Sequence, residues 1–294
     1  MARMSGKVAL ITGAARGQGR EHAIRLAEEG AEIVATDICS QVAEVPYPMS
    51  TPEDLQETVA LVEKLDRRCL GIEADAGDTA RMREVVAQTV EEFGRLDSVV
   101  INHGIGVPHT VDQDDADAIF DATIEANLSS VWRTARAAIP QLRAQGGGSI
   151  TITSSAAGLV AFYGFPGYVA SKHGVIGLGK ALAAELASDW IRVNVVCPTN
   201  VATPMLHNQF IQSMFTGGDP NATVADMEFP ATATNLLPIP WIEPRAISEA
   251  VLWLSSDEAK YVTGIALPVD AGMTIQPPGI TPFLGQRLAE LGNN

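Results

Sequence analysis

Short apolar runs alternate with longer segments of helical periodicity along most of the chain. Strands buried in a parallel sheet form continuous apolar runs, whereas helices that cover a sheet repeat an apolar residue every three or four positions. The alternation predicts an α/β fold, a doubly wound parallel sheet with helices on both faces. Seven strands are predicted, over residues 7–12, 32–36, 69–73, 96–101, 148–153, 191–196 and 266–270.

A glycine-rich loop follows the first predicted strand. Gly13, Gly17 and Gly19 have the spacing Gly-x-x-x-Gly-x-Gly, and a helical pattern over residues 21–29 comes next. In this order the glycines let the backbone come close to a dinucleotide, and the helix N-terminus offers free N–H groups to its pyrophosphate. The loop alone is equally compatible with a plain tight turn.

The end of the second strand indicates which dinucleotide the loop would bind. Asp37 follows that strand, at the place where a carboxylate meets the adenosine ribose hydroxyls. A carboxylate accepts hydrogen bonds from a free 2′-OH and repels a 2′-phosphate, and Ile38 supplies no cation. Arg16 is the opposing signal, because a basic residue in the loop could pair with a phosphate. We weigh Asp37 more heavily, so the sequence favours NAD(H) over NADP(H).

A tyrosine and a lysine with helical spacing supply candidate acid/base chemistry. Tyr168 and Lys172 are four residues apart, and Ser155 lies thirteen residues before the tyrosine. On a helix, this spacing stacks the phenol and the ammonium on one face. The cation is expected to lower the phenol pKa toward neutrality and make the phenol a usable acid/base. The pair indicates acid/base catalysis only if the same chain also contains a binding site for a cofactor that carries hydride.

Taken together, these motifs resemble the short-chain dehydrogenase/reductase family in its single-domain form, over about residues 5–272. The resemblance implies a Rossmann fold and a catalytic tetrad that consists of Asn127, Ser155, Tyr168 and Lys172. It also implies a cofactor site made of Gly13, Arg16, Gly17, Gln18, Gly19, Asp37, Ile38, Asp75, Ala76, Asn102, Gly104, Tyr168, Lys172, Pro198, Val201 and Thr203.

Two positions depart from the family pattern. His103 stands where the family usually has alanine, and we interpret it as a wall of the cofactor pocket rather than a catalyst. Thr199 replaces the usual glycine in the loop on the nicotinamide side.

Three further residues have alternative interpretations. By residue type, Ser154 is as plausible a catalytic hydroxyl as Ser155, and the family's thirteen-residue interval before the tyrosine selects Ser155. Asn127 is either a solvent-facing residue or the site of a kink that holds a proton-relay water. His173 is interpreted as structural.

Three segments stand outside the regular alternation. Residues 38–68 form a connection longer than a usual βα loop, with a helical stretch from Glu53. Residues 203–245 are rich in methionine and aromatic residues, which favours a substrate lid over extra core or a subunit contact. The tail over 273–294 is irregular, with a helix-like stretch at 284–291. It is a loose terminus or a segment that lies across a neighbouring subunit's active site.

The loop from Gly13, the connection over 38–68 and the run from Pro198 to Met205 resemble a closer subgroup, the mycofactocin-coupled, carveol-dehydrogenase-like enzymes. That resemblance implies NAD held so tightly that it does not exchange freely. The expected function is NAD-dependent interconversion of a hydrophobic, cyclic or terpenoid secondary alcohol and its ketone. The alternatives are an NADPH-dependent ketone or ketoacyl reductase and a non-catalytic NAD-binding regulator. By resemblance, the assembly is a homotetramer.

The composition of the chain limits which partners it can bind and in which cellular compartment it is expected. The length of 294 residues suits one domain over 1–294. The net charge of −15 argues against binding to nucleic acid or to an anionic membrane. The 3 cysteines are widely spaced, and no apolar segment precedes the first strand, so a cytoplasmic location is expected. No His/Cys/Asp cluster has metal-ligand spacing, so no metal is expected.

Overall fold

The computed structural model describes residues 2–277 and Gly285. It contains one parallel sheet of seven strands in the order β3-β2-β1-β4-β5-β6-β7. All seven predicted strands are confirmed, with ends that differ from the prediction by at most two residues. They are β1 Val8–Thr12, β2 Glu32–Asp37, β3 Cys69–Glu73, β4 Ser98–Ile101, β5 Gly148–Thr153, β6 Ile191–Pro198 and β7 Ala266–Val269.

Nine α-helices connect or follow these strands in the described part of the chain. They are α1 Gly17–Glu28, α2 Pro52–Glu63, α3 Thr79–Phe93, α4 Ala116–Ile124, α5 Ser130–Ala144, α6 Pro166–Leu186, α7 Gln209–Phe215, α8 Val224–Ala233 and α9 Pro244–Ser255. A π-helical turn, Glu125–Ser129, joins α4 to α5. Among residues 2–277, no helix combines the length and the apolar character needed to cross a membrane.

The sheet is buried on both faces, as the continuous apolar strands predicted. Successive residues of a strand point to opposite faces, and Leu10 and Ile11 of β1 accordingly join two separate apolar clusters. The first cluster includes residues of α3, α5 and α6, such as Val175. The second includes residues of α1 and α9, such as Ala23 and Val251.

The start of α1 differs from the prediction. The helix begins at Gly17, four residues before the predicted start, so Gly17 and Gly19 belong to its first turn rather than to the preceding loop. A Cβ at position 19 would lie 2.0 Å from the carbonyl oxygen of Gly13. Glycine is required there because the helix rises directly against the loop, which brings the first-turn N–H groups to the end of β1.

The long connection and the lid region both contain ordered elements. Residues 38–51 are irregular, and α2 then begins at Pro52 behind a capping box formed by Thr51 and Asp54. Between β6 and α9, α7 and α8 enclose a small apolar cluster of Leu206, Ile211 and Met227. The tail is described as far as residue 277, and the predicted helix-like stretch at 284–291 lies outside the described residues except for Gly285.

Candidate active site

Two adjoining cavities lie at the carboxyl ends of the strands. The larger, of about 500 Å³, is lined from the ends of β1, β2 and β4. The smaller, of about 380 Å³, is lined from the ends of β5 and β6 and from the lid region. Gln18, Thr203 and Met205 line both. Parallel sheets bind ligands in this crevice, where the direction of the strand order reverses next to β1.

Most of the residues predicted at the cofactor or in the catalytic tetrad line one of these cavities. Those at the larger cavity are Gly13, Arg16, Gly17, Gln18, Asp37, Ile38, Asp75, Ala76, Asn102, Gly104 and Thr203. Those at the smaller cavity are Gln18, Ser155, Tyr168, Pro198, Val201 and Thr203. Three residues line neither cavity but contact a residue that does. Gly19 packs against Gly13, Asn127 bonds to Ile105, and Lys172 lies next to Tyr168.

The beginning of α1 suits an anionic ligand. The residue before the helix, Arg16, makes no capping hydrogen bond with its side chain, and the first turn contains no acidic residue. The first N–H groups of a helix have no partner within it, and they carry the positive end of its dipole. Neither a side-chain cap nor an acidic residue of the first turn competes with a phosphate for these groups.

Asp37 is positioned at the end of β2 by the neighbouring backbone. One carboxylate oxygen accepts a hydrogen bond from the N–H of Ala15 at 3.0 Å, and the other accepts one from the hydroxyl of Ser50 at 2.6 Å. The guanidinium of Arg16 donates to the carbonyl oxygen of Pro48 at 2.8 Å. Arg16, the one residue of the loop that favoured NADP(H), is therefore hydrogen-bonded to the long connection over residues 38–68.

Tyr168 and Lys172 lie on α6, which begins at Pro166 and so confirms the predicted helix. The ammonium of Lys172 lies 5.5 Å from the centre of the Tyr168 ring and donates to the carbonyl oxygen of Thr153 at 3.1 Å. Burial lowers the pKa of Lys172 to about 8. Burial also raises the pKa of Tyr168 to about 12, against the opposing effect of its hydrogen bond with Ser155. The expectation that the cation lowers the phenol pKa toward neutrality was wrong, because desolvation by burial raises that pKa instead.

The two serines at the end of β5 have different surroundings. The hydroxyl of Ser154 is buried and donates to the carbonyl oxygen of Lys172 at 2.8 Å, so it holds α6 to the strand end. Ser155 is less buried, and its oxygen accepts from the N–H of Ala157 at 3.1 Å. Both residues line the smaller cavity. The hydroxyl of Ser155 donates to the carbonyl oxygen of Pro198 at 3.5 Å. Of the two serines, only Ser155 acts on the pKa of the Tyr168 phenol, which its side chain lowers.

Asn127 is fully buried inside the π-helical turn. Its carbonyl oxygen accepts from the N–H of Ile105 at 2.8 Å, and its amide donates to the carbonyl oxygen of the same residue at 2.8 Å. The alternative of a solvent-facing residue is therefore wrong. The widened turn is the kink that the other alternative anticipated, since one extra residue in a helix locally distorts it.

The two histidines next to site motifs have separate environments. His103 lines the larger cavity and bridges the hydroxyls of Thr12 and Ser130, at 2.6 Å and 2.7 Å. Burial, followed by the charge of Lys172, lowers the pKa of His103 to about 3, which keeps the ring neutral. His173 is exposed and contacts the carbonyl oxygen of Val169 on its own helix.

Several lining residues were absent from the expected site. Val42, Tyr47 and Met49 of the long connection line the larger cavity, and their signal was their apolar side chains in a segment without regular periodicity. In the smaller cavity, the missed residues are Thr199, Phe162, Tyr163, Phe165 and Met273. The three aromatic residues form a cluster just before Tyr168 that sequence analysis could have identified.

Comparisons with known proteins agree with this geometry. The family model for short chain dehydrogenases matches residues 7–213. The (−)-trans-carveol dehydrogenase of Rhodococcus erythropolis is 46% identical over 277 residues, which cover 94% of this chain and 100% of that protein. A carveol dehydrogenase from Mycobacterium avium, solved in complex with NAD, has a TM-score of 0.91 at 45% identity and covers 94% of this chain and 100% of its own.

A short chain dehydrogenase from Mycobacterium paratuberculosis, also solved with NAD, has a TM-score of 0.85 at 41% identity. The match covers 93% of this chain and 100% of that one. Sequence and structure thus match over nearly the whole length of both proteins. This chain belongs to the short-chain dehydrogenase family, and it is similar to carveol dehydrogenases within that family.

Proposed function

We propose that this protein is an NAD-dependent oxidoreductase that interconverts a hydrophobic secondary alcohol and its ketone. The observation that carries the proposal is the placement of Tyr168 and Ser155 together on the wall of an apolar cavity, next to a second cavity that ends at Asp37. The pair supplies proton transfer, and the second cavity supplies the place for a hydride carrier.

The larger cavity fits NAD at each end. The uncapped first turn of α1 offers N–H groups to the pyrophosphate. Asp37 is available for the hydroxyls of the adenosine ribose, and it would repel a 2′-phosphate. Arg16 also lines this cavity, and its guanidinium donates to the carbonyl oxygen of Pro48. The two related structures solved with NAD support the same choice.

The proton chemistry follows from the environment of Tyr168. In the oxidation direction, the phenolate accepts the alcohol proton, and Ser155 donates a hydrogen bond to the substrate oxygen. Because burial favours the neutral phenol, the phenolate needs positive charge nearby. The ammonium of Lys172 supplies one such charge. Oxidised NAD, when bound, accepts the hydride and contributes the positive charge of its nicotinamide ring.

Asn127 and Lys172 would act behind the reacting atoms. Lys172 lies between Tyr168 and the strand end, where it is positioned to hold a nicotinamide ribose hydroxyl and pass a proton onward. Asn127 fixes the backbone at Ile105 next to this lysine, and the distorted π-helical turn provides a place for a relay water. Both roles are those that the family resemblance implies for Asn127 and Lys172.

The smaller cavity favours an apolar substrate. Its walls include Leu206, Ile211, Met214 and Phe215 of the lid region, and Phe162 from the loop before α6. A site of this composition gains free energy from burial of hydrocarbon surface, about 25 cal/mol per Å². The described residues that line it include no charged side chain for a sugar phosphate or a carboxylate. We therefore expect a cyclic or terpenoid alcohol rather than a polar one.

The connection over residues 38–51 would slow the exchange of NAD. The amide of Gln41 donates to the carbonyl oxygens of Val42, Val45 and Tyr47, at 2.9–3.3 Å, which folds the segment compactly. The hydroxyl of Tyr47 accepts from the N–H of Gly106, and this contact ties the segment to the cavity wall. Release of the cofactor would require these contacts to open.

One experiment tests cofactor and chemistry together. Purified protein is passed through gel filtration, its bound nucleotide is identified by mass spectrometry, and a panel of hydrophobic secondary alcohols is oxidised with an artificial electron acceptor. We expect retained NAD and turnover that is lost in Tyr168→Phe. Tyr261→Phe, at a residue that is 84% exposed, is the control. NADP in place of NAD, or equal turnover in Tyr168→Phe, would contradict the proposal. Protein free of nucleotide would exclude only the tight retention.

A further inference from the structure

The side-chain amide of Gln18 lies at the junction of the two cavities, and its oxygen has no hydrogen-bond partner among the described residues. Gln18 is the second residue of α1, and its side chain lines both cavities. Its oxygen, Oε1, is buried and has no hydrogen-bond partner among the residues that the structure describes. A buried carbonyl oxygen left unpaired costs about 1–3 kcal/mol, so its position calls for a partner that the described chain does not provide.

The other amides next to the site are engaged. Asn127 forms three hydrogen bonds within the protein. Asn102 donates to the carbonyl oxygen of Gly13 and accepts from the hydroxyl of Thr153. Gln18 differs from both of them, and a half-turn about its last side-chain torsion exchanges its oxygen and nitrogen. It can therefore present either a donor or an acceptor to a ligand at the junction.

The proposed function determines what would lie at this junction. A dinucleotide with its pyrophosphate at the start of α1 must reach Tyr168 and Ser155 in the smaller cavity, and its nicotinamide half then passes Gln18. Nicotinamide carries a primary carboxamide, which both donates and accepts hydrogen bonds. A glutamine amide complements it in both roles. On the basis of the proposed function, we propose that Gln18 binds the nicotinamide carboxamide and orients the ring.

Other groups at the junction fit Gln18 less well. A pyrophosphate only accepts hydrogen bonds, so it could pair with the amide nitrogen of Gln18 but would leave the buried Oε1 without a partner. An apolar substrate in the smaller cavity offers at most one oxygen, which Tyr168 and Ser155 bind. The carboxamide alone among these groups supplies an N–H for Oε1.

The test compares two dinucleotides that differ at this group. In 3-acetylpyridine adenine dinucleotide, a methyl ketone replaces the carboxamide of NAD, so the N–H donor is lost and the rest is retained. The protein is first freed of retained NAD by unfolding and refolding. It is then incubated with both dinucleotides until the ratio of bound species, read by native mass spectrometry, is constant. Gln18→Met keeps the side-chain length and removes the amide. Gln88→Met, at an exposed residue of α3 outside both cavities, is the matched control.

The wild-type protein and Gln88→Met should prefer NAD, and Gln18→Met should lose roughly tenfold of that preference. ADP-ribose, which has no nicotinamide, should bind all three proteins equally and so report on their folding. An unchanged preference in Gln18→Met would overturn the inference, as would equal weakening of NAD and ADP-ribose, which indicates a diphosphate contact. If the wild-type protein binds ADP-ribose but not NAD, the proposed function and the inference fail together.

Discussion

The side chain of Asn127 makes both of its 2.8 Å hydrogen bonds to the backbone of one residue, Ile105. The oxygen accepts from the N–H and the amide donates to the carbonyl oxygen, so the loop after β4 is fixed on the π-helical turn. The next residue, Gly106, lies against the Tyr168 ring: a Cβ there would be 3.7 Å from a ring carbon. Asn127 therefore determines the position of the backbone that the phenol of Tyr168 packs against.

Asn127→Ala should impair both stability and turnover. The substitution leaves the two buried backbone groups of Ile105 without partners, which costs about 1–3 kcal/mol of unfolding free energy. We also expect turnover to fall by roughly tenfold or more, because the relay and the loop position are both affected. Urea unfolding and steady-state kinetics measure these effects. Asn221→Ala, at an exposed residue of the lid region, is the control, and equal behaviour of the two variants would contradict the assigned role.

Substitution of the adjacent serines should separate structure from chemistry. Ser155→Ala removes the hydroxyl that lines the smaller cavity together with Tyr168, so turnover should fall by about two orders of magnitude while stability changes little. Ser154→Ala removes the buried bond to the carbonyl oxygen of Lys172, so stability should fall by about 1 kcal/mol. Its turnover should be affected less than that of Ser155→Ala. The reverse ranking of turnover would identify Ser154 as the catalytic hydroxyl.

Much of this arrangement could be predicted from local patterns. Apolar runs indicated the seven strands, and the spacing of Tyr168 and Lys172 correctly placed both on one helix. Residues at the ends of strands, such as Asp37 and Asn102, could be assigned to one crevice because parallel strands bring their carboxyl ends to one edge.

The errors concern properties that depend on tertiary contacts. Four-residue spacing indicates that a cation is near the Tyr168 phenol, but it contains no information about desolvation, which determines the direction of the pKa shift. The start of α1 was placed too late because glycine disfavours helices, and the close approach of Gly13 that requires Gly19 is not visible in the sequence. Likewise, the partner of Asn127 is Ile105, 22 positions away in the chain.

Gly19→Ala should disrupt the start of α1. The added Cβ would lie 2.0 Å from the carbonyl oxygen of Gly13, a backbone atom, so the loop or the helix must shift. Such overpacking costs about 1–3 kcal/mol, and NAD affinity should fall because the first-turn N–H groups move. Gly177→Ala is the matched control on α6, where no atom of the described residues lies within 4 Å of the added carbon.

The control substitution should be neutral or stabilise the protein by up to about 1 kcal/mol, since alanine favours a helix more than glycine does. Thermal unfolding and NAD titration of the two variants provide the comparison. If Gly19→Ala matched Gly177→Ala in both measurements, the close packing of the loop against α1 would not be needed for cofactor binding.

The pH dependence of the two reaction directions should be opposite. Alcohol oxidation needs the unprotonated phenol, and burial raises the pKa of Tyr168, so its rate should increase with pH. Ketone reduction needs the protonated phenol and should decrease as pH rises through the same pKa. Lys172→Met removes a cation next to the phenol and should move the rising limb of alcohol oxidation to higher pH, by about one unit. Profiles of kcat/KM measure this shift, and a limb that stayed in place or moved to lower pH would show that Lys172 does not stabilise the phenolate.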